Sequence, residues 1–203
     1  MTIKSSNIQT VLHRVSDAER WQRQNHKGGV LWFTGLPGSG KSTLAFELER
    51  RLFSAGMQVY AMDGDNLRHG LNADLGFSPE DRSENIRRIG EVAALYADSG
   101  LIAITAFISP YRDARQAARR AGGERFHEVY LSASVEACEA RDPKGHYERA
   151  RRGEIPNFTG VSAPYEAPES AELVLDTGTM AVDDCLDILV GYVERKFDLD
   201  DEG

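Results

Sequence analysis

Gly35-Leu36-Pro37-Gly38-Ser39-Gly40-Lys41-Ser42 has the spacing G-x-x-x-x-G-K-[ST], that of a loop which wraps phosphates. Its glycines let successive backbone N–H groups turn inward around an anion. A helix starting at the end of the loop, through Ser42 and Thr43, adds the partial positive charge of its N-terminus. Lys41 then supplies a mobile cation for the outer phosphates, and the Ser42 hydroxyl an oxygen for Mg²⁺. A glycine-rich turn that binds nothing would not need this context. The pattern points to a nucleoside triphosphate with Mg²⁺ and leaves the reaction open.

A second group of chemical residues is Asp63-Gly64-Asp65-Asn66-Leu67-Arg68. Acids at the end of the strand that follows the phosphate loop belong near the γ-phosphate. There Asp63 would orient or deprotonate an attacking hydroxyl, or hold Mg²⁺ through water. Asp65 serves chemistry or, equally well, it or Asn66 caps the next helix. Further on, Ser78-Pro79 reads as a helix start, which puts Arg82 and Asn85 on one helical face. With Arg68 they make either a hydrogen-bonding patch for an anionic acceptor or a solvated charged face. Spacing does not separate the two.

These residues need a frame that brings them together. Apolar runs at Val30–Thr34, Val59–Met62, Leu101–Phe107, Val129–Ser132 and Leu173–Asp176 read as strands. Helical patterns alternate with them at Ser42–Ala55, Pro79–Ser99, Pro110–Ala121, Val135–Arg141 and Val182–Lys196. That order predicts an α/β fold: a mostly parallel five-stranded sheet with helices on both faces, its functional loops at the carboxyl ends of the strands. Residues 1–28 read as a polar N-terminal arm with a short helix near Asp17–Gln24, and residues 29–197 as one phosphate-loop domain. Residues 142–170, long and without a clear strand, read as a lid, and residues 198–203 as an acidic, frayed tail.

The chain has 203 residues, 41% hydrophobic and 28% charged, with a net charge of −8. Such a balance fits one soluble domain with a real core and argues against a nucleic-acid partner held on a basic surface. Cys138 and Cys185 fit no metal spacing and read as buried apolar residues. No run approaches the roughly 18 apolar residues of a membrane span, and no apolar leader opens the chain. The expected setting is cytoplasmic. The third strand ends in Phe107-Ile108-Ser109-Pro110-Tyr111-Arg112, without an acid, so Mg²⁺ relies on Ser42, phosphates, water and Asp63. A guanine reader of the Asn/Thr-Lys-x-Asp kind is missing, and Asp142-Pro143-Lys144-Gly145 is too short a pattern, after a helix, to serve a switch GTPase.

Taken in order, these segments resemble the adenylylsulfate (APS) kinases. The resemblance rests on the phosphate loop, Asp63-Gly64-Asp65-Asn66, Arg68-His69-Gly70-Leu71-Asn72, Asp81-Arg82 with Asn85-Ile86-Arg87-Arg88, and Ile108-Ser109-Pro110-Tyr111-Arg112. Asp142-Pro143-Lys144-Gly145, Phe158-Thr159-Gly160 and Pro164-Tyr165-Glu166 complete it, over about residues 25–180. It implies transfer of the ATP γ-phosphoryl group to the 3′-hydroxyl of adenosine 5′-phosphosulfate, giving PAPS and ADP. Asp63 would then act on the 3′-hydroxyl, and Lys41 on the phosphates. Arg68, Arg82 and Asn85 would bind the acceptor, Ile108 and Ser109 would line its pocket, and Phe77 and Phe158 would sandwich its adenine. Lys144 would hold anions from the lid, and Arg141 and Thr177 would lie near the ATP base. A phosphoserine relay at Ser109 has been proposed within the family, but a serine nucleophile needs an adjacent base, and no histidine lies near it in sequence.

Two departures stand out. Pro37 replaces the family's usual Ser in the loop, which removes one N–H, and Pro156-Asn157 replaces Lys-Gly before Phe158-Thr159-Gly160. The rival readings are another small-molecule kinase of the same fold and a nucleotide switch without a small acceptor. The arm needs a surface to pack on, which a homodimer would supply.

Overall fold

A computed structural model describes residues 7–9 and 11–199 of the chain. The outermost parts of the expected arm and tail, residues 1–6 and 200–203, lie outside the described residues.

The strand that leads into the phosphate loop, β1 (Gly29–Thr34), is buried at all six positions. A strand can be apolar on both faces only where helices cover both, and β1 is the central strand of a five-stranded parallel sheet. The order is β2 (Val59–Asp63), β3 (Ile102–Ala106), β1, β4 (Phe126–Ser132) and β5 (Leu173–Asp176). β1 pairs with β3 in the register Val30↔Ala103 and with β4 in the register Val30↔Phe126. β4 starts three residues earlier than its apolar run indicates, because β1 offers Phe126, His127 and Glu128 a pairing edge.

Side chains alternate across the sheet, so β1 feeds two cores. Leu31 and Phe33 join Leu44, Leu48 and Leu52 of α2 (Lys41–Ser54) and Leu186, Leu189 and Val193 of α8 (Val182–Phe197). Val30 and Trp32 join Ile86, Ile89 and Ala93 of α4 (Pro79–Asp98) and Ala114 and Ala118 of α5 (Arg112–Gly122). The last two helices touch closely: a side chain at Gly90 would fall 2.8 Å from the Ala118 Cα. α1 (Asp17–Gln24) carries a complete capping box from Ser16 and Glu19, and the Gln24 amide donates to the Ser99 carbonyl.

The chain order across the sheet reverses at β1, with β3 on one side and β4 on the other. Loops leaving the carboxyl ends of β1 and β3 therefore diverge and leave a crevice. Short helices border it: α3 (Gly64–Leu67), α6 (Val135–Arg141) and α7 (His146–Arg151). The 142–170 segment has no strand beyond a single bridge, Thr159↔Ala163, but it is not loose. Tyr147, Ala150 and Phe158 bury themselves with Leu36 and Cys138 in a third apolar cluster.

Candidate active site

The crevice is a cleft of about 920 Å³ at the carboxyl edge of the sheet. One end is the phosphate loop between β1 and α2. Gly38 and Gly40 stand at φ 77° and 91°, where only glycine is unstrained. The Lys41 ammonium donates to the carbonyls of Gly35 (3.0 Å) and Leu36 (2.7 Å), with the Ser39 hydroxyl at 3.3 Å. Burial pushes its pKa down to about 8, against the smaller upward pull of Cys138 and Asp63. Pro37, Gly38, Ser39, Gly40, Lys41, Ser42 and Thr43 all line the cleft. Gly35 and Leu36 do not: Leu36 packs into the third cluster, and both serve through the carbonyls that hold Lys41.

The Ser42 hydroxyl donates to Asp63 Oδ2 at 2.6 Å, which ties the loop to the end of β2. Asp63 Oδ1 accepts the Asp65 N–H at 2.9 Å, so Asp63 is the N-cap of α3. The cap is thus neither Asp65 nor Asn66. The Asp65 carboxylate is mostly exposed and pairs with Lys144. This ion pair raises the Lys144 pKa and bridges the 142–170 segment to the opposite wall. Lys144 therefore meets a carboxylate where an anion contact was expected.

The other end of the cleft is built on the 68–85 stretch. Phe77 is 60% exposed, which rules out a core role. The Arg68 guanidinium lies 4.3 Å from its ring centroid and that of Arg82 lies 5.6 Å away, a cationic backing for an open aromatic face. Arg68 donates to the Leu75 and Gly76 carbonyls. Arg82 pairs with no acid on the next turn. It donates to the Phe77 carbonyl (3.1 Å) and, across the cleft, to the Asn157 carbonyl (2.9 Å) and Thr159 Oγ1 (3.4 Å). Burial pulls both arginines below their ordinary pKa. Asn85 shares the Arg82 face, and its Oδ1 accepts from the buried Asn72 amide at 2.9 Å. That contact turns the Asn85 amide donors away from Asn72.

Ile108 and Ser109 line the floor. Ser109 is 2% exposed; its Oγ accepts the Trp32 indole N–H at 3.1 Å and reaches the Phe107 carbonyl at 3.4 Å. None of these partners is a base, and the side chain lines the cleft. Phe158 borders the cleft but is only 8% exposed and meets Tyr147 edge-on at 5.0 Å. It is core-packed as well as cleft-facing. Arg141 donates to the Thr177 carbonyl at 2.6 Å, which brings both to the far side of the phosphate loop. The residues expected from sequence thus gather around one cleft, apart from Gly35 and Leu36.

Sequence reasoning gave no role of their own to Tyr147, Asp142 or Asn72, although Asp142 and Asn72 stand in the motifs quoted above. The Tyr147 hydroxyl donates to the Pro37 carbonyl at 2.9 Å, clamping the 142–170 segment to the phosphate loop. Asp142 accepts N–H groups of His146, Tyr147 and Glu148. Burial alone would raise its pKa, but these donors outweigh it and hold the carboxylate low. Asp142 carried a local signal, since Asp four residues ahead of a short polar helix is a capping pattern. The contacts of Asn72 and Tyr147 had no local signal, because their partners lie 13 and 110 residues away.

Comparison with known proteins follows the same lines. Residues 27–176 match the family described as adenylylsulphate kinase. The chain is 55% identical over 196 residues to the adenylyl-sulfate kinase of Staphylococcus carnosus, covering 96% of this chain and 98% of that one. The solved structure of the Mycobacterium tuberculosis APS kinase, in complex with AMPPNP and APS, is 45% identical with a TM-score of 0.79, over 83% of this chain and 98% of that one. A gluconokinase from Sinorhizobium meliloti, 18% identical with a TM-score of 0.55 over 82% of this chain and 94% of that one, shares the fold alone. With its family match across the sheet and the cleft, and this identity over nearly its whole length, the chain belongs to the adenylylsulphate kinase family.

Proposed function

We propose that this protein transfers the γ-phosphoryl group of ATP to the 3′-hydroxyl of adenosine 5′-phosphosulfate, giving PAPS and ADP. One observation carries the reading: a single cleft joins a phosphate loop, a carboxylate hydrogen-bonded to that loop and an exposed aromatic face backed by two arginines. The loop receives the ATP phosphates, with Arg141 and Thr177 near the ATP base. Phe77 offers its open face to the acceptor's adenine, with the edge of Phe158 beyond it. Arg68, Arg82 and Asn85 supply donors for the sulfate and phosphate oxygens. The APS-bound relative of known structure supports this choice over other acceptors.

Asp63 lines the same cleft beside the phosphate loop. Its carboxylate orients the 3′-hydroxyl and accepts its proton as the oxygen attacks the γ-phosphorus. The transferring group is loosely bonded, so the rest of catalysis is positioning and charge. Lys41 leaves its loop carbonyls for the phosphate oxygens. The site suits Mg²⁺: Ser42 and Asp63 place a hydroxyl and a carboxylate together, and the described residues hold no cluster of three or more His, Cys, Asp or Glu. Such a sparse set of hard oxygens is what Mg²⁺ takes when phosphates and water complete its shell. Ser42 would hold the ion directly and Asp63 through water, and its charge would neutralise the phosphates.

The 142–170 segment acts as the lid, since α7 and Phe158 touch the phosphate loop while Asn157 and Thr159 touch Arg82. Its Lys144–Asp65 pair spans the cleft and opens as the acceptor enters. A cytoplasmic setting belongs to the same reading, supported by two buried, unpaired cysteines. Among the described residues no helix is long and apolar enough to cross a membrane. A homodimer would cover the arm, where Val11 and Leu12 are more than four-fifths exposed. The deciding experiment is ADP release from ATP with and without adenosine phosphosulfate, with PAPS identified as product. Turnover with a sugar acid in its place, or ATP binding without turnover on any acceptor, would replace the proposal.

A further inference from the structure

Arg115 takes no part in the chemistry above, yet it is among the most deeply buried charges in the molecule. It lies on α5 beside Ala114 and Ala118 and is 3% exposed. Its guanidinium spreads donors over three separate elements. Nε donates to Glu128 Oε1 on β4 at 2.6 Å. Nη1 donates to the Ser109 carbonyl at 2.7 Å, and Nη2 to the Glu166 carbonyl at 2.7 Å. Glu128 is itself buried. A buried ion pair is a weak source of stability, because desolvation offsets the attraction. What a planar, forked cation does supply is direction: it fixes two carbonyls at once.

One of those carbonyls belongs to a residue that needs holding. Ser109 stands at φ 42°, a left-handed value that a non-glycine residue adopts at a cost. Its neighbours are held as well. Thr34 Oγ1 donates to the Ile108 carbonyl at 2.8 Å, and the Glu166 N–H donates to the Pro110 carbonyl at 2.9 Å. All three residues of this cleft wall are pinned by their backbone. Arg115 makes the only one of these contacts that is anchored by a buried counter-charge.

We propose that Arg115 is a positioning residue for the acceptor. By tying the Ser109 carbonyl to Glu128 and to the 166 backbone, it keeps the Ile108-Ser109-Pro110 wall in the shape that receives the acceptor. It does not line the cleft and has no hydrogen bond to residues 35–43, so it acts through the acceptor wall rather than through the phosphate loop. The inference rests on the proposed function, in which residues 108–110 wall the acceptor pocket.

The test is steady-state kinetics on the paired variant Arg115→Met/Glu128→Gln, which removes both buried charges together, alongside Arg115→Lys, which keeps the cation and loses the fork. The expected result is an acceptor KM raised about tenfold in the paired variant, the scale of one lost charge-assisted hydrogen bond, with the ATP KM within about twofold. Arg115→Lys moves the acceptor KM in the same direction. KM is independent of the fraction of enzyme folded, whereas kcat per mole is not. A merely structural role would therefore lower kcat and Tm and leave both KM values alone; that result, or an equal rise in both KM values, overturns the inference. If the paired variant does not fold, an unchanged acceptor KM in Arg115→Lys overturns it equally. The unaltered enzyme separates this from the proposed function. If it shows no ADP release dependent on adenosine phosphosulfate, that reading fails and the inference fails with it.

Discussion

Replacing Asp63 by Asn tests the centre of the mechanism with little structural disturbance. Asp63 makes two contacts, the Ser42 hydroxyl at 2.6 Å and the Asp65 N–H at 2.9 Å. An Asn side chain keeps an oxygen for the cap on α3, so the helix start survives. Its amide faces Ser42, whose hydroxyl turns round to accept. The net structural cost is the difference between a charge-assisted and a neutral hydrogen bond, about 1 kcal/mol. What disappears is the proton acceptor. General-base assistance is worth typically 10²–10⁴-fold, which is about 3–5 kcal/mol on the barrier. We expect kcat to fall by that factor, with Tm lowered by only a few degrees and ATP affinity retained. Coupled ADP release gives kcat, calorimetric titration gives ATP affinity, and thermal unfolding gives Tm. Asp63→Ala should add the loss of the cap, roughly another 1 kcal/mol of stability, without a much slower reaction. A folded Asp63→Asn enzyme that binds ATP and turns over at nearly the original rate would refute the role of this carboxylate.

Four further outcomes follow from the same geometry. Lys41 is buried with a pKa pulled down to about 8, so kcat/KM for ATP should fall as the pH rises through about 8; Lys41→Arg should move that limb to higher pH, and Lys41→Ala should abolish turnover. Phe77→Ala should weaken the acceptor by about 5- to 150-fold at nearly constant Tm, since an exposed ring is lost. Phe158→Ala should cost about 3–5 kcal/mol in denaturant melts, because that ring is core-packed; unchanged stability would contradict its burial. Burial holds the His127 imidazole, bonded to the Tyr192 hydroxyl at 2.8 Å, below the usual histidine range. The unfolded chain therefore binds the proton more readily, and the contribution of His127 is full above about pH 6.5 and lost as the pH falls below it. Urea melts at about pH 5 and pH 7.5 should show a stability difference that shrinks in His127→Gln.

How far these expectations were legible from the residues alone depended on the range of the interaction. The phosphate loop, the apolar strand before it and the helix after it are contiguous, and their chemistry was readable without a structure. So were the parallel sheet and most helix limits, since alternation of short apolar runs with amphipathic patterns admits few arrangements. The expectation failed where partners were distant. α5 begins at Arg112 rather than Pro110, because the Pro110 carbonyl is engaged by Glu166. Arg82 faced solvent or acceptor equally well on spacing, until Asn157 and Thr159 met it 75 and 77 residues away. Both Phe77 and Phe158 were expected to clamp the adenine, with Phe77 the readier of the two to pack as core; packing reversed that order, leaving Phe77 exposed and burying Phe158. Local spacing determines which backbone can wrap a phosphate. Which polar group is satisfied, and which ring is buried, is decided by contacts that the chain makes only once it has folded.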